Sequence, residues 1–266
     1  AAIPFGSFRI GGDRKLPQYC TQFHMNSTLA GKKAKADGHK YEVDCVAMLN
    51  KLFGGDHATD GRPQTKVDVY DKEGINTYSV KNVSKNHTQV ALLSSQKFID
   101  HFNLTDSGCE QFINMFFGYY NKELQSIVES KHPELSLSDA EIRQNRVYKN
   151  NISDSIIDEF LTFMNSNKME IFDIIVRRGF NGDAVNHIIW RNKITTSVNI
   201  IDVESLASLV KNGIWKINNT TLEFRTADNI KLFHLQMKGS GKKYNSGYHG
   251  MMFQMFQELL YLTSLC

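Results

Sequence analysis

Long apolar runs and a signal-like N-terminus are both missing from this sequence. No run of about 18 apolar residues, the length that a transmembrane helix needs, occurs in its 266 residues. Residues 1–13 contain no basic stretch followed by an apolar one, so they do not resemble a signal peptide. We therefore expect a cytoplasmic protein with no membrane partner.

Cysteine and proline are also scarce. The four cysteines form no CxxC pair, and their spacing fits neither a zinc site nor a disulfide framework. This pattern is typical of free thiols in a reducing compartment. With only four prolines we expect no stiff linker between domains, and a 41% hydrophobic content excludes a disordered chain. The length is sufficient for the chain to bury a core of its own.

Neither sign of charge dominates the chain, but positive charge is concentrated in two segments. Residues 31–40 contain four lysines and one aspartate. Residues 211–250 contain seven basic and two acidic residues, an excess of five that is larger than the net charge of +3. Such segments are typical either of a phosphate-binding surface or of two solvated faces.

Hydrophobic periodicity predicts a mixed α+β protein of the broad α/β class. A helix is expected over about 40–53, and two short alternating segments, 65–71 and 76–83, predict a β-hairpin. Further helices are predicted over 109–130, 138–149, 153–165, 169–178, 203–211 and 251–262. Further strands are predicted over 185–190, 194–201, 214–217, 221–225 and 231–238.

The hairpin brings together side chains that could act on a phosphate. Asp68 lies on the first strand and Lys81 lies thirteen positions later on the second, while Glu42 lies on the preceding helix. Side chains alternate along a strand, so Ser79 and Lys81 point to the same face. Carboxylates can hold a divalent cation beside a phosphate, and a lysine can neutralise charge or hold the attacking water. The alternative is an ordinary hairpin with a surface aspartate and a surface lysine.

The order of these residues resembles the PD-(D/E)XK nuclease superfamily over about 50 residues. In that family an acid lies on a helix, an aspartate on the next strand and a (D/E)XK tripeptide on its hairpin partner. The matching residues here are Glu42, Asp68 in KVDVY, and Ser79 to Lys81 in YSVKN.

The resemblance implies a restriction-endonuclease-like core, with a central mixed sheet flanked by helices. It implies one nuclease domain over 1–266, with a largely helical insertion at about 105–180. The implied activity is Mg²⁺-dependent hydrolysis of double-stranded DNA by a homodimeric Type II restriction enzyme. The implied catalytic residues are Asp68, Lys81, Glu42 and Ser79, with Asp68 and Glu42 as ligands of Mg²⁺.

One departure from the family pattern leaves alternatives open. Ser79 stands where the family has its second carboxylate, so Glu42 is the nearest candidate replacement. A repair, recombination or phage-type nuclease of the same fold, or a DNA-binding protein without catalysis, would fit the same sequence. Asp228, followed by Gln236 and Lys238, imitates the motif, but no comparable acidic helix immediately precedes it.

DNA contacts are expected in three places. They are the polar run after Lys81, the first basic segment and a basic loop that contains GSGKKY. The GSGKK stretch does not match a phosphate-binding P-loop, so no nucleotide cofactor is expected. The candidate residues are Asn82, Lys85, Asn86, His87, Gln89, Lys35, Lys238, Ser240, Lys242, Lys243 and Tyr244.

The basic loop gives a prediction about salt. Replacing Lys242 and Lys243 together by alanine should weaken DNA binding and flatten its dependence on salt concentration. The slope of log K against log salt should become shallower by about 0.9 for each phosphate that the loop no longer neutralises. Binding titrations at several salt concentrations measure it, and an unchanged slope would remove this loop from the interface.

Overall fold

The structure is a computed structural model that describes residues 36, 38–62, 66–117, 149–180, 182–238 and 250–265. Within these residues the chain forms seven α-helices and eleven strands. The helices are α1 (38–53), α2 (Ser95–Phe102), α3 (Gly108–Phe116), α4 (Asp154–Ser166), α5 (Lys168–Phe172), α6 (Val203–Asn212) and α7 (Leu260–Thr263). The strands are β1 (His57–Thr59), β2 (Val69–Asp71), β3 (Thr77–Val83), β4 (His87–Ser94), β5 (His187–Asn192), β6 (Val198–Asp202), β7 (Ile214–Ile217), β8 (Leu222–Arg225), β9 (Lys231–Lys238), β10 (Gly250–Phe256) and β11 (Ser264–Leu265).

The strands form two sheets. The first sheet has the order β1-β2-β3-β5-β6-β11, and the second has the order β4-β10-β9-β8-β7. In the first sheet β3 and β5 are parallel while the other neighbours are antiparallel, so this sheet is mixed. The second sheet is antiparallel throughout. The prediction of a mixed α+β fold is confirmed.

Helix α1 covers one face of the first sheet. Its buried residues repeat every four positions, at Tyr41, Cys45 and Leu49, which places them on one stripe of the helix. The helix ends before Gly54, whose positive φ of 68° is typical of a residue that terminates a helix. The stripe packs in one cluster with sheet residues Val69, Tyr78 and Ile189.

Side-chain caps fix the start of three other helices. Ser94 accepts a hydrogen bond from the backbone N–H of Lys97 at α2, and Ser107 accepts one from Glu110 at α3. At α6 the Asp202 carboxylate accepts the backbone N–H of Ser205. Each cap satisfies one of the N–H groups that a helix leaves unpaired at its start.

The main hydrophobic core joins helices and both sheets. Phe112 of α3 and Phe160 of α4 are fully buried, and their stacked rings have centroids 4.2 Å apart. The same cluster contains Trp190 of the first sheet and Phe233 of the second. The described part of the predicted insertion at about 105–180 therefore packs into the core shared with the sheets. Residues 118–148 of that insertion lie outside the described residues.

The predicted helix over 251–262 is wrong. Gly250–Phe256 is instead strand β10, which lies between β4 and β9, and α7 is limited to Leu260–Thr263. The strand is buried on both faces, through Met251, Met252, Phe253, Met255 and Phe256. A strand buried on both faces has a continuous apolar sequence, which periodicity cannot distinguish from a buried helix.

Most of the polar run after Lys81, residues 82–89, belongs to strands. Only residues 84–86 form a turn, and β4 begins at His87. This turn takes the chain directly from β3 of the first sheet into β4 of the second. Among the described residues no helix is long and apolar enough to cross a membrane.

Removal of the Phe160 ring should test the shared core. Because Phe160→Ala leaves a cavity against Phe112, it should lower the free energy of unfolding by about 3–5 kcal/mol. Urea unfolding followed by circular dichroism measures this change. Tyr261→Ala, at a side chain that is 84% exposed, is the control and should change stability by less than about 0.5 kcal/mol. Equal stability of the two variants would contradict this packing.

Candidate active site

Asp68 lies immediately before β2 and is held through its backbone and its side chain. Its N–H donates to the carbonyl of Tyr78 at 2.8 Å, and its own carbonyl accepts from the N–H of Asp60 at 2.9 Å. Its Oδ2 accepts the backbone N–H of Val80 at 2.6 Å. The carboxylate therefore replaces a backbone carbonyl as the partner of β3 at this point, which fixes its orientation.

Lys81 lies beside this carboxylate. Its Nζ is 3.9 Å from Asp68 Oδ2, and the two side chains are 20% and 26% exposed, respectively. The neighbour of Lys81 across the parallel ladder is the fully buried Trp190. The ammonium group is thus held against the protein but is still accessible to a ligand in solvent.

The Ser79 side chain is turned towards Asp68 and away from solvent. It is 2% exposed, and its Oγ donates to Asp68 Oδ2 at 3.2 Å. The structure therefore brings together three of the four predicted catalytic residues. Within that group, Ser79 holds the carboxylate that Val80 also binds.

Glu42 lies on α1, the helix that packs on the same sheet. Its Oε2 is 3.1 Å from Nδ1 of His39, and its side chain is 25% exposed. Burial raises the pKa of the nearby Cys45 thiol to about 11, and the charge of Asp68 acts in the same direction. Helix α1 is therefore within electrostatic reach of Asp68, although Glu42 bonds to its helical neighbour.

Among the described residues, few protein side chains near Asp68 could act as metal ligands. No group of three or more His, Cys, Asp or Glu side chains arranged to hold a metal occurs in the described part of the chain. Asp68 Oδ2 is occupied by its two hydrogen bonds, whereas Oδ1 has no such partner among the described residues. Mg²⁺ commonly keeps several waters and takes one or two carboxylates together with substrate phosphates. One open carboxylate oxygen fits a site of that kind.

Lys66 is a further charged residue of this region that sequence reasoning did not single out. Burial lowers the pKa of its amine to about 7; the charge of Lys81 adds to this effect and that of Asp68 opposes it. Lys66 therefore lies within electrostatic reach of both residues. No local sequence pattern singles out Lys66, because it lies outside strand β2 and its hydrogen-bond partners are distant in sequence.

The predicted DNA contacts after Lys81 lie along the connection between the sheets. Lys85 and Asn86 are exposed in the turn. His87 has its Nδ1 2.9 Å from Asn86 Oδ1, and Gln89 is exposed on β4. Asn82 lies on β3, and its Oδ1 is buried with no hydrogen-bond partner among the described residues.

The other predicted DNA-binding residues fall mostly beyond the described ranges. Lys238 is the last residue of β9. Lys35, Ser240, Lys242, Lys243 and Tyr244 lie outside the described residues.

The downstream motif at Asp228 is not assembled in the same way. Asp228 is exposed in the turn between β8 and β9. Gln236, which would follow it in the motif, donates from Nε2 to Oε1 of Gln254 at 3.5 Å. The contact that joins Asp68 to Ser79 and Lys81 thus has no counterpart between Asp228 and Gln236 in the described structure.

A double-mutant cycle should measure the contact between Ser79 and Asp68. We expect Ser79→Ala and Asp68→Ala to be non-additive in their free energies of unfolding, with a coupling of about 1 kcal/mol. Urea unfolding of the wild type, both single variants and the double variant gives this value. Ser79→Ala combined with Asp228→Ala is the control and should be additive. Additivity of the first pair would show that the hydrogen bond contributes nothing.

Comparisons with known proteins give only distant structural similarity. No family model matches this chain, and no curated protein matches it. Among solved structures it is similar to HhaI endonuclease in complex with DNA, at 14% sequence identity and a TM-score of 0.25. The alignment covers 82% of this chain and 85% of that one. A TM-score this low does not establish a shared fold, so conclusions about function depend on the contacts within this chain.

Proposed function

We propose that the protein is a Mg²⁺-dependent endonuclease that hydrolyses phosphodiester bonds in double-stranded DNA. The observation that supports this most strongly is the fixed pair formed by Asp68 and Lys81. The pair combines an anchored carboxylate, with one oxygen open, and an ammonium group 3.9 Å from the other oxygen. This arrangement also agrees with the resemblance to the PD-(D/E)XK superfamily.

Each residue of the pair has a distinct task in this proposal. Asp68 would hold the metal through Oδ1, because Oδ2 is occupied by Val80 and Ser79. A bound Mg²⁺ stabilises the charge that develops on the phosphate and lowers the pKa of a bound water. Lys81 would hold the attacking water or neutralise the phosphate through its ammonium group. Ser79 would keep the carboxylate in its orientation.

Glu42 is the proposed second carboxylate. It would exchange its contact with His39 for the metal when DNA and Mg²⁺ bind together. Its position on α1 supports this role, because α1 packs on Val69, which follows Asp68, and on Tyr78 of the neighbouring strand. The presence of Ser79 in place of an acid makes such a relocated ligand necessary for a site with two carboxylates.

The polar side chains after Lys81 support a proposal about the DNA substrate and the oligomeric state. The turn after Lys81 offers Lys85 for phosphates, and Asn86 and Gln89 have side chains that can bond adenine edges. We propose sequence-specific cleavage of the Type II kind on this basis. A symmetric duplex site calls for two identical active sites, so a homodimer with twofold symmetry is expected.

Ser79 also favours a second candidate function, which is DNA binding without catalysis. A serine hydroxyl is a poor Mg²⁺ ligand, and this one already donates to Asp68. Under this alternative the protein would bind DNA through the same basic segments and would cleave none of it in Mg²⁺.

Substitutions at the pair test whether Asp68 and Lys81 form the hydrolytic site. Asp68→Ala and Lys81→Ala should each abolish cleavage of plasmid DNA in Mg²⁺, because one removes the metal ligand and the other the ammonium group. DNA binding, measured by fluorescence anisotropy with Ca²⁺ in place of Mg²⁺, should survive in both variants. Asp228→Ala is the matched control and should cleave at the wild-type rate. Wild-type cleavage by Asp68→Ala or Lys81→Ala would refute the assignment of this site.

A further inference from the structure

A partly buried lysine connects the segment before β2 to two other parts of the chain. The Lys66 Nζ donates to the carbonyl of Val90 at 2.6 Å and to the carbonyl of Ile175 at 2.9 Å. Val90 belongs to β4 of the second sheet, and Ile175 belongs to the π-helical turn Asp173–Arg177. One side chain therefore joins the first sheet's leading segment, the second sheet and this turn.

Both carbonyls belong to irregular backbone. In the pairing of β4 with β10, Ala91 is opposite Phe253 and Gln89 is opposite Gln254, so Val90 is the extra residue of a β-bulge. A bulge leaves its extra residue without a ladder partner, and π-turns likewise interrupt regular helical bonding. An unpaired buried carbonyl is costly, and a lysine ammonium supplies three donors. Lys66 thus donates to two carbonyls that lie at irregular points of the backbone.

The same side chain restrains Asp68. Only Val67 separates the two residues, and Val67 is buried in the main core. The backbone is therefore fixed at Lys66 by the two carbonyls and at Asp68 by the N–H of Val80.

We propose that Lys66 is a positioning residue of the nuclease site, acting through Asp68. This inference rests on the proposed function, because it assigns Lys66 the task of keeping Asp68 Oδ1 in place for the metal. Residues that orient a metal ligand typically change metal affinity or activity by about 10- to 100-fold when they are replaced. Loss of the Lys66 hydrogen bonds should therefore weaken the use of Mg²⁺ more than the binding of DNA.

The test is Lys66→Met, which keeps the length of the side chain and removes its donors. We expect the Mg²⁺ concentration for half-maximal cleavage to rise by about tenfold or more. We expect kcat to fall and the KM for DNA to stay within about twofold of wild type, because ground-state DNA contacts are unchanged. Assays are made at a temperature well below the Tm of the variant. If Lys66→Met does not fold, Lys66→Gln, which retains an N–H donor, is assayed by the same measurements and should shift in the same direction.

Lys168→Met is the matched control. Lys168 also donates from Nζ to a backbone carbonyl, that of Gly213 at 2.8 Å. Its replacement should lower the Tm without changing the Mg²⁺ dependence of cleavage. If the folded Lys66 variant behaves like Lys168→Met, then Lys66 is only structural and the inference is wrong. If the wild-type protein itself does not cleave DNA, both the proposed function and this inference are wrong. That result is distinguishable from cleavage by the wild type with no effect of the Lys66 substitution.

Discussion

The hydrogen bond from the Val80 N–H to the Asp68 carboxylate is the contact on which the candidate site depends. It ends the pairing of β2 with β3, whose register contains only Val69 with Tyr78 and Tyr70 with Thr77. Beyond that point β3 continues beside β5 alone among the described strands, up to its last residue. Lys81 lies on this continued part of β3. The bond from Val80 thus orients the Asp68 carboxylate, and it ends the pairing of β2 with β3 next to Lys81.

The site lies where the two sheets meet. The chain leaves β3 and enters β4 through a three-residue turn, while Lys66 reaches back to the bulge in β4. The bulge in β4 and the π-helical turn each supply a carbonyl that accepts a hydrogen bond from the Lys66 amine. Helix α1 closes the other face of the first sheet. The geometry of Asp68 is therefore set by contacts from several directions.

The sequence predicts those elements whose side chains repeat with a regular local spacing. Apolar residues three and four positions apart identify α1. Alternation places Ser79 and Lys81 on one face of a strand near Asp68. The strand predicted over 65–71 is too long because the Asp68 carboxylate bonds to Val80, and no local pattern reveals that choice. The strand β10 resembles a helix in sequence since burial on both faces removes its alternation. The role of Lys66 depends on carbonyls distant in sequence, which propensity and spacing do not encode.

Digestion of plasmid and phage DNA by the purified wild-type protein would show whether Asp68 and Lys81 form a hydrolytic site. We expect discrete, reproducible fragments in Mg²⁺ and none in EDTA, with ends that map to one sequence. A smear would contradict sequence specificity while leaving a nuclease. Intact DNA in Mg²⁺, on several unmethylated substrates that the protein nevertheless binds, would contradict the assignment of Asp68 and Lys81 as a hydrolytic site.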